Sequence, residues 1–315
     1  MIRIGIVGFG KLGKSVKKAI ERTNDMELVG VFSRREVEAC YKLEEILDFK
    51  DKIDLLILCG SSDHDILEQG PELIKDFNTL DSFDNHSKIK EYYKKMNQLA
   101  KDNDRLALVS TGWDPGLFSL MRGISQSILA EGKTYTLWGK GVSQGHSAAV
   151  RSIEGVLDAS QYTIPKESVL QMIRSGQDFN FDSHMAHLRE VYVVANEDYD
   201  KKKIEEEIKS MPDYFEGYET IVHFIRQEEL EKNHKTMEHG GHVIRFGKAS
   251  GSSKARIEFS LDLENNPDFT AAVDVAYARA LYRLYKDGKR GAMTVFDIAP
   301  KYIYDKTYDE LLGLV

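Results

Sequence analysis

The chain begins with an apolar, β-branched segment that runs directly into three closely spaced glycines, MIRIGIVGFGKLGKSV. Gly8 allows a tight turn from strand to helix, Gly10 lets the backbone approach a pyrophosphate, and Gly13 lets the helix pack closely on its strand. The backbone N–H groups of Lys11 and Leu12 then lie at a helix N-terminus, which favours a bound phosphate. This spacing therefore predicts a βα unit that binds a dinucleotide.

The end of the next apolar segment indicates which dinucleotide is bound. Residues 28–32 (LVGVF) are expected to form the second strand, and sites that select NAD carry an acidic residue at its end. This chain has Ser33, Arg34 and Arg35 there. Two guanidinium groups and a hydroxyl suit a 2′-phosphate, which a carboxylate would repel. NADP is therefore predicted over NAD, and a solvated basic turn is the alternative.

Strand and helix patterns alternate through the first third of the chain. The predicted elements are, in order, strand 2–7, helix 12–22, strand 28–32, helix 41–47, strand 53–59, helix 64–77, strand 79–83, helix 86–102 and strand 105–110. Repeated β-α-β order predicts an α/β fold with a Rossmann-type, doubly wound parallel sheet, whose ligand lies at the carboxyl ends of the strands.

The pattern changes after Gly112, where alternating and β-branched segments replace the regular β-α-β order. These segments predict a second, α+β domain with a mixed sheet. We expect residues 1–118 to form the dinucleotide-binding domain, with residues 292–315 returning to it. Residues 119–291 are expected to form the domain for substrate binding and dimerisation. A stripe of alanines in the predicted helix 267–287 favours a core or a subunit interface.

Composition excludes several classes of protein. The net charge of −8, from 43 basic and 51 acidic residues, argues against a nucleic-acid partner. No apolar stretch approaches the roughly 20 residues of a membrane span, and the chain starts on a strand rather than a signal peptide. We therefore expect a cytoplasmic protein without a membrane partner. Cys40 and Cys59 are too few for a disulfide framework and are expected to be reduced.

Polar side chains follow two predicted strands, at the edge of the sheet where ligand is expected. The segment SFDNH supplies Asp84, and TGWDPG supplies Trp113 and Asp114. Two carboxylates suit a substrate with an ammonium group, and the indole provides an apolar wall. Helix capping is the alternative, because Asp114 precedes Pro115 and either Asp84 or Asn85 could cap the following helix. The sequence leaves both roles open.

Two further segments carry polar groups. Residues 138–147 (WGKGVSQGHS) form a glycine-rich loop between strand and helix, whose N–H groups could hold a carboxylate. In HGGH, His239 and His242 are three residues apart, with no carboxylate or thiolate at a matching spacing. We therefore expect no metal there.

Together these motifs resemble the meso-diaminopimelate D-dehydrogenase family along essentially the full chain. The matching motifs, in the family's order, are GFGKLGKSV, FSRR, FDNH, STGWDPG, WGKGVSQGHS, MPDYF, HGGHV and NPDFTA. The resemblance implies a homodimeric, NADP-dependent enzyme of lysine and cell-wall precursor biosynthesis. Its reaction would be the reversible oxidative deamination of the D-centre of meso-2,6-diaminopimelate to L-2-amino-6-oxopimelate and ammonium.

The resemblance also implies roles for individual residues. Asp84 and Asp114 are placed near the reacting amino group, and which of them is the base is left open. The other residues implied to contact the substrate are Trp113, Trp138, Gln144 and Gly145 at the reacting centre, and Thr163, Arg189, His239 and Asn266 at the distal L-centre. Those implied to contact the cofactor after the third strand are Cys59, Gly60 and Ser61. The charge of Arg189, in the strand LREVYVVA, needs a partner, and a bidentate carboxylate is the best one.

Two alternative functions share the N-terminal half. One is another two-domain NAD(P) oxidoreductase, such as a dihydrodipicolinate reductase or a sugar dehydrogenase of the glucose–fructose type, although the Glu-Lys-Pro motif of the latter is absent. The other is a protein that senses NADP without catalysis. A sensor needs no paired carboxylates at the strand ends, and it often carries a basic DNA-binding element, which this sequence lacks.

Overall fold

Two units divide the part of the chain that the structure describes, which is residues 1–62, 64–176, 180 and 182–315. In this computed structural model, residues 1–120 and 267–315 form the first unit, and residues 121–266 form the second. Among the described residues, no helix combines the length and the apolar character that crossing a membrane requires.

A seven-stranded parallel sheet forms the centre of the first unit. Its strands are β1 (Ile2–Val7), β2 (Met26–Ser33), β3 (Tyr41–Lys42), β4 (Leu55–Leu58), β5 (Asn78–Asp81), β6 (Leu106–Leu108) and β14 (Gly291–Met293). They lie in the order β14-β6-β5-β4-β1-β2-β3, and each neighbouring pair is parallel. The strand order reverses between β1 and β4, which is the switch point where open α/β sheets bind ligands. The predicted Rossmann-type parallel sheet is confirmed.

Helices cover both faces of this sheet. Those that belong to or enter the first unit are α1 (Lys11–Ile20), α2 (Asp65–Leu73), α3 (Ile89–Asp102), α4 (Leu117–Ile128), α10 (Asn266–Lys286), α11 (Pro300–Ile303) and α12 (Tyr308–Leu312), with 3-10 helices at Leu43–Phe49 and Val295–Asp297. Along β4, Leu55 and Ile57 pack with α1 and α10, whereas Leu56 and Leu58 pack with the first 3-10 helix. The strand is therefore buried on both faces, as parallel sheets require.

Helix α10 packs in the core of the first unit, whereas the sequence analysis places residues 267–291 in the second domain. Ala271, Ala278 and Leu281 are fully buried in the same cluster as Ile4 of β1. A parallel sheet needs helices on both faces, and α10 shares one face with α1. The apolar stripe of a helix indicates that it is buried, but not against which sheet.

The second unit contains two sheets, where the sequence predicts one mixed sheet. Strands β8 (Gly141–Val142), β9 (Val156–Pro165), β10 (His187–Ala195) and β11 (Glu219–Phe224) form a mixed sheet in the order β11-β10-β9-β8, and β7 (Glu131–Trp138), β12 (His239–Ser250) and β13 (Ser253–Leu263) form an antiparallel sheet in the order β13-β12-β7. The helices are α5 (Gln144–Arg151), α6 (Glu167–Arg174), α7 (Ser183–Ala186), α8 (Lys201–Ser210) and α9 (Gln227–Asn233). Val191 and Val193 of β10 pack with Ile204 and Ile208 of α8.

Candidate functional site

The turn from β1 to α1 requires glycine at two positions and is open at a third. Gly8 has a φ of +94°, a left-handed conformation that side chains disfavour, and its N–H donates to the Phe32 carbonyl at 2.8 Å. A Cβ atom on Gly13 would overlap the carbonyl oxygen of Gly8, whereas one on Gly10 would have no protein atom within 4 Å. Helix α1 begins at Lys11, directly after Gly10, so no side chain caps its N-terminus. These features match the cradle that a pyrophosphate needs.

A cleft of about 670 Å³ opens beside this turn in the first unit. It brings together eight of the predicted cofactor residues, namely Gly8, Gly10, Ser33, Arg34, Arg35, Cys59, Gly60 and Ser61. The other three, Lys11, Leu12 and Gly13, do not line it. Cys59 is a free thiol whose pKa is raised well above its ordinary value by burial, so it presents an unreactive surface. The volume falls within the range of about 300–1,000 Å³ that is typical of ligand and cofactor sites.

Asp65 also lines this cleft, although it was not predicted as a site residue. Its carboxylate forms an ion pair with Arg34 and accepts a hydrogen bond from the Ser61 N–H at 2.9 Å. Burial acts to raise the pKa of Asp65, but the hydrogen bonds from Ser61 and the charge of Arg34 hold that pKa below its ordinary value. The Arg35 N–H donates to the Ser33 hydroxyl at 3.1 Å. A 2′-phosphate would therefore compete with Asp65 for the Arg34 guanidinium.

Asp84 and Asp114 lie on loops that follow two neighbouring strands of the first unit. Strands β5 and β6 are paired, and beyond them the Thr111 N–H donates to the Asp81 carbonyl at 2.9 Å. Asp84 is exposed and Asp114 is half-buried. Trp113 is only 8% exposed. This hydrogen bond joins the two loops where they leave the strands, and each loop carries its carboxylate further along the chain.

The capping alternative for these carboxylates is wrong. Helix α3 has Lys88 at its N-cap position, so neither Asp84 nor Asn85 caps it. Helix α4 begins at Leu117, whereas capping by Asp114 requires a helix that begins at Pro115, so Asp114 lies outside the capping position. Between Asp114 and Leu117 the backbone makes a tight turn, in which the Leu117 N–H donates to the Gly112 carbonyl at 3.1 Å. Both carboxylates therefore belong to loops rather than to helix termini.

Arg189 is a buried cation in the second unit. It lies on β10 opposite Thr163 of β9, and its guanidinium donates to the Thr163 hydroxyl. The guanidinium carbon lies 4.1 Å from the centre of the Tyr218 ring, and the residue is 8% exposed. Burial lowers the pKa of Arg189. Among the described residues, no Asp or Glu side chain pairs with its guanidinium, and its Nε has no hydrogen-bond partner. This arrangement suits an anion supplied from outside the protein.

His239 and Trp138 lie near Thr163 in the same unit. A Cβ atom on Gly141 would press into the His239 ring, and Gly141 is paired with Thr163 across β8 and β9. The Trp138 ring is 40% exposed and stacks on the His187 ring with 6.4 Å between the ring centres. The structure therefore brings His239 and Thr163 to one end of the mixed sheet.

Gln144 and Asn266 meet at Met237, which lies two residues before His239. The Gln144 amide donates to the Met237 sulfur at 3.6 Å, and the Asn266 N–H donates to the Met237 carbonyl at 2.9 Å. Gly145, the second residue of α5, has open space where a Cβ would lie. Gln144 and Asn266 thus contact the same short segment that carries His239.

Gln161 and His146 also lie in this region. Gln161 was not predicted as a site residue, and His146 belongs to the polar segment 138–147. Gln161 lies on the same face of β9 as Thr163, is fully buried, and has no hydrogen-bond partner for either amide atom. The His146 Nε2 is also buried and unpartnered. Burial, and then the charge of Arg189, lower the pKa of His146 to about 4, so its ring is neutral. Strand alternation through Thr163 is the sequence signal that could have identified Gln161.

The two histidines of HGGH make separate hydrogen bonds. The His242 Nδ1 lies 2.9 Å from the Ser260 hydroxyl, and the His239 Nδ1 accepts from the Gly240 N–H at 2.8 Å. In the part of the chain that the structure describes, no group of three or more His, Cys, Asp or Glu side chains is arranged to hold a metal ion.

Comparison with known proteins gives two matching family models. The model "Dihydrodipicolinate reductase, N-terminus" matches residues 2–128, and "Diaminopimelic acid dehydrogenase C-terminal domain" matches residues 112–265. Among curated relatives, the meso-diaminopimelate D-dehydrogenase of Acetivibrio thermocellus is 50% identical over 98% of this chain and 96% of its own length. The enzyme of the same name from Corynebacterium glutamicum is 42% identical over 99% and 98%.

Solved structures agree with these relatives. The C. glutamicum diaminopimelate (DAP) dehydrogenase in complex with DAP has a TM-score of 0.89 and 42% identity, and the match covers 99% of this chain and 98% of that one. An engineered D-amino acid dehydrogenase bound to NADP⁺ has a TM-score of 0.83 and 40% identity, again over 99% and 98%.

Proposed function

Because the chain belongs to the meso-diaminopimelate D-dehydrogenase family, we propose that it catalyses the NADP-dependent, reversible oxidative deamination of the D-centre of meso-2,6-diaminopimelate. The products are L-2-amino-6-oxopimelate and ammonium. The observation that carries the proposal is Arg189, a buried guanidinium that contacts a hydroxyl and an aromatic ring and has no carboxylate partner among the described residues. A carboxylate of the substrate supplies that partner. A reductase of the dihydrodipicolinate type is not favoured, because that model matches only residues 2–128.

The cleft of the first unit fits NADP. The open backbone at Gly10 and the uncapped N-terminus of α1 suit the pyrophosphate, and Arg34, Arg35 and Ser33 suit the 2′-phosphate. When bound, NADP⁺ supplies the acceptor for the hydride that leaves the D carbon. The protein must then orient the substrate, exclude bulk water and move protons.

Asp84 and Asp114 supply the acid–base groups. The substrate ammonium has to lose a proton before its nitrogen lone pair can form a C=N bond as the hydride departs. One carboxylate accepts that proton and the other anchors the amine; water then adds to the C=N carbon, and ammonium leaves. Trp113, on the same loop as Asp114, provides an apolar wall that limits access of other water.

The second unit holds the end of the substrate that does not react. Because the substrate has an amino group and a carboxylate at each end, the enzyme needs an anchor that recognises the L-centre. Thr163, Arg189, His239 and Asn266 supply that anchor. Gln144, Gly145 and Trp138 are the other residues of this unit that contact the substrate, with backbone N–H groups at the start of α5.

We further propose that the enzyme is a homodimer that acts in the cytoplasm, without a nucleic-acid or membrane partner. The net charge of −8 supports the exclusion of nucleic acid. On α10, Ala272 is exposed and Ala276 is half-buried, and this surface of small residues supports a contact between subunits.

Substitution of each carboxylate tests the proposed chemistry. In Asp84→Asn and Asp114→Asn, we expect kcat with meso-diaminopimelate to fall by about 100-fold or more. The Kd for NADPH should stay nearly unchanged in both. Asp102→Asn, at the exposed end of α3, is the matched control and should retain kcat. Retention of kcat in both test variants, or equal loss of NADPH binding, would contradict the assigned roles.

A further inference from the structure

Asp274, in α10, is a buried carboxyl group that the proposed chemistry does not use. It is 0% exposed and lies between apolar residues of the helix that faces the core. Its Oδ1 lies 3.1 Å from the Thr111 hydroxyl, and its Oδ2 has no hydrogen-bond partner. Ser82 is the other hydroxyl beside it. Because an apolar side chain would be less costly to bury, this carboxyl requires an explanation.

A proton on Asp274 satisfies the contacts around Thr111. The Thr111 hydroxyl has one proton, but its oxygen lies 3.0 Å from the Asp81 carbonyl and 3.1 Å from Asp274 Oδ1. If Thr111 donates to the Asp81 carbonyl, a protonated Asp274 can donate to the Thr111 oxygen, so that each of the two contacts has a proton. Burial, with a smaller contribution from the negative charge of Asp81, raises the pKa of Asp274 to about 7, although the hydrogen bonds with Thr111 and Ser82 act to lower it. A raised pKa favours the protonated form.

Asp81 binds the same two loops from the sheet. Its Oδ1 accepts hydrogen bonds from the N–H groups of Ser110 at 3.0 Å and Phe83 at 3.1 Å, and its Oδ2 accepts from the Tyr92 hydroxyl at 2.9 Å. Burial raises the pKa of Asp81 to about 6, and these three hydrogen bonds oppose the rise. The two buried carboxyl groups therefore hold the bases of both loops.

We propose that Asp274 is a positioning residue, which fixes the loops of Asp84 and Asp114 through Ser82 and Thr111. Ser82 precedes Asp84 by two residues, and Thr111 precedes Asp114 by three. The inference rests on the proposed function, because that function assigns the two carboxylates to proton transfer. A shift of about 1 Å at a reacting group can lower a rate by roughly 100-fold, so a loose loop base is sufficient to impair catalysis.

Two substitutions at this position separate positioning from stability. Asp274→Asn keeps an acceptor oxygen and an N–H donor in place, so we expect kcat with meso-diaminopimelate to stay within about threefold. Asp274→Ala removes both, and kcat should fall about 10- to 100-fold while the KM for NADP⁺ is nearly unchanged. Leu281→Ala, which truncates another fully buried residue of α10, is the matched control. It should lower Tm at least as much and retain kcat.

The fluorescence of Trp113 gives a readout that does not need turnover. The chain has two tryptophans, so Trp138→Phe leaves Trp113 as the sole emitter, and that residue is 8% exposed. In this background, Asp274→Ala should raise the acrylamide quenching constant by about twofold or more, because the loop opens more often. Asp274→Asn and Leu281→Ala should leave the quenching constant unchanged.

The proposal is overturned if Asp274→Ala matches Leu281→Ala in both kcat and quenching. It is equally overturned if Asp274→Asn loses as much activity as Asp274→Ala, since the hydrogen bonds would then not be the cause. If the unsubstituted enzyme forms no NADPH from meso-diaminopimelate, the proposed function fails. In that case the quenching comparison still decides whether Asp274 holds the loop of Trp113.

Discussion

Replacement of Arg189 by methionine is expected to impair substrate binding without destabilising the protein. The side chain is 8% exposed, and it contacts the Thr163 hydroxyl and the Tyr218 side chain. Removing one partner of a buried charge pair costs about 2–4 kcal/mol, so the KM for meso-diaminopimelate should rise roughly 30- to 1000-fold. Because methionine replaces a buried charge that lacks a carboxylate partner, the free energy of unfolding should be unchanged or higher.

Arg245 provides a matched control in the same unit. It is 6% exposed, and it donates to the backbone carbonyls of Leu129 at 2.9 Å and Ala130 at 3.0 Å. Arg245→Met leaves these acceptors without donors, so the free energy of unfolding should fall by about 1–3 kcal/mol for each buried acceptor left unpaired. The KM for the substrate should not change.

Steady-state kinetics at saturating NADP⁺ and urea unfolding of both variants measure these quantities. A KM for Arg189→Met within about threefold of the unsubstituted enzyme would refute the reasoning, because it would mean that no substrate carboxylate reaches this guanidinium. A large loss of stability in Arg189→Met would show that the residue is structural, as Arg245 is.

Four further variants test the account of the first unit. Replacing Arg34 and Arg35 together by alanine should raise the Kd for NADPH about 10- to 100-fold and leave that for NADH nearly unchanged; an unchanged preference in titrations with both would rule out the 2′-phosphate site. Gly13→Ala should lower the free energy of unfolding by about 1–3 kcal/mol, whereas Gly10→Ala should leave it unchanged and only weaken NADPH binding. The reverse pattern in urea unfolding and NADPH titrations would contradict the proposed pyrophosphate cradle. Because the folded-state pKa of Asp274 is about 7, above its ordinary 3.8, stability is lost as pH rises through 7. Asp274→Asn should therefore reduce the fall in unfolding free energy between about pH 5 and pH 8 by up to roughly 2.6 kcal/mol, and an identical pH profile in the two proteins would count against a raised pKa.

The local features of the fold could be predicted because short-range physics determines them. The glycine spacing specifies the β1–α1 turn, and the order of apolar segments specifies the parallel sheet. The assignment of α10 could not be predicted, because its apolar stripe fits either core equally well. The division of the second unit into two sheets depends on strand pairing between distant segments, which alternation alone does not reveal.

The candidate site divides in the same way. Arg34 was predicted as a site residue from residue type and local pattern, whereas Arg189 was predicted from the family resemblance. Asp65 was missed because its role depends on Arg34, which is 31 residues away in the sequence. Gln161 was missed although it lies two residues before Thr163 on the same strand face. Asp274 did leave a signal, since it lies at core-facing helical spacing from Ala271, where a carboxyl group is unexpected.

Formation of NADPH from NADP⁺ and meso-diaminopimelate by the purified enzyme tests the central claim most directly, with the LL and DD isomers and simple D-amino acids as comparisons. We predict rapid formation from the meso isomer, none from the LL isomer, which has no D-centre, and slow formation from the DD isomer and simple D-amino acids, which lack the L-centre that the second unit holds. Absence of NADPH with the meso isomer, or equal rates with the LL isomer, would contradict the account.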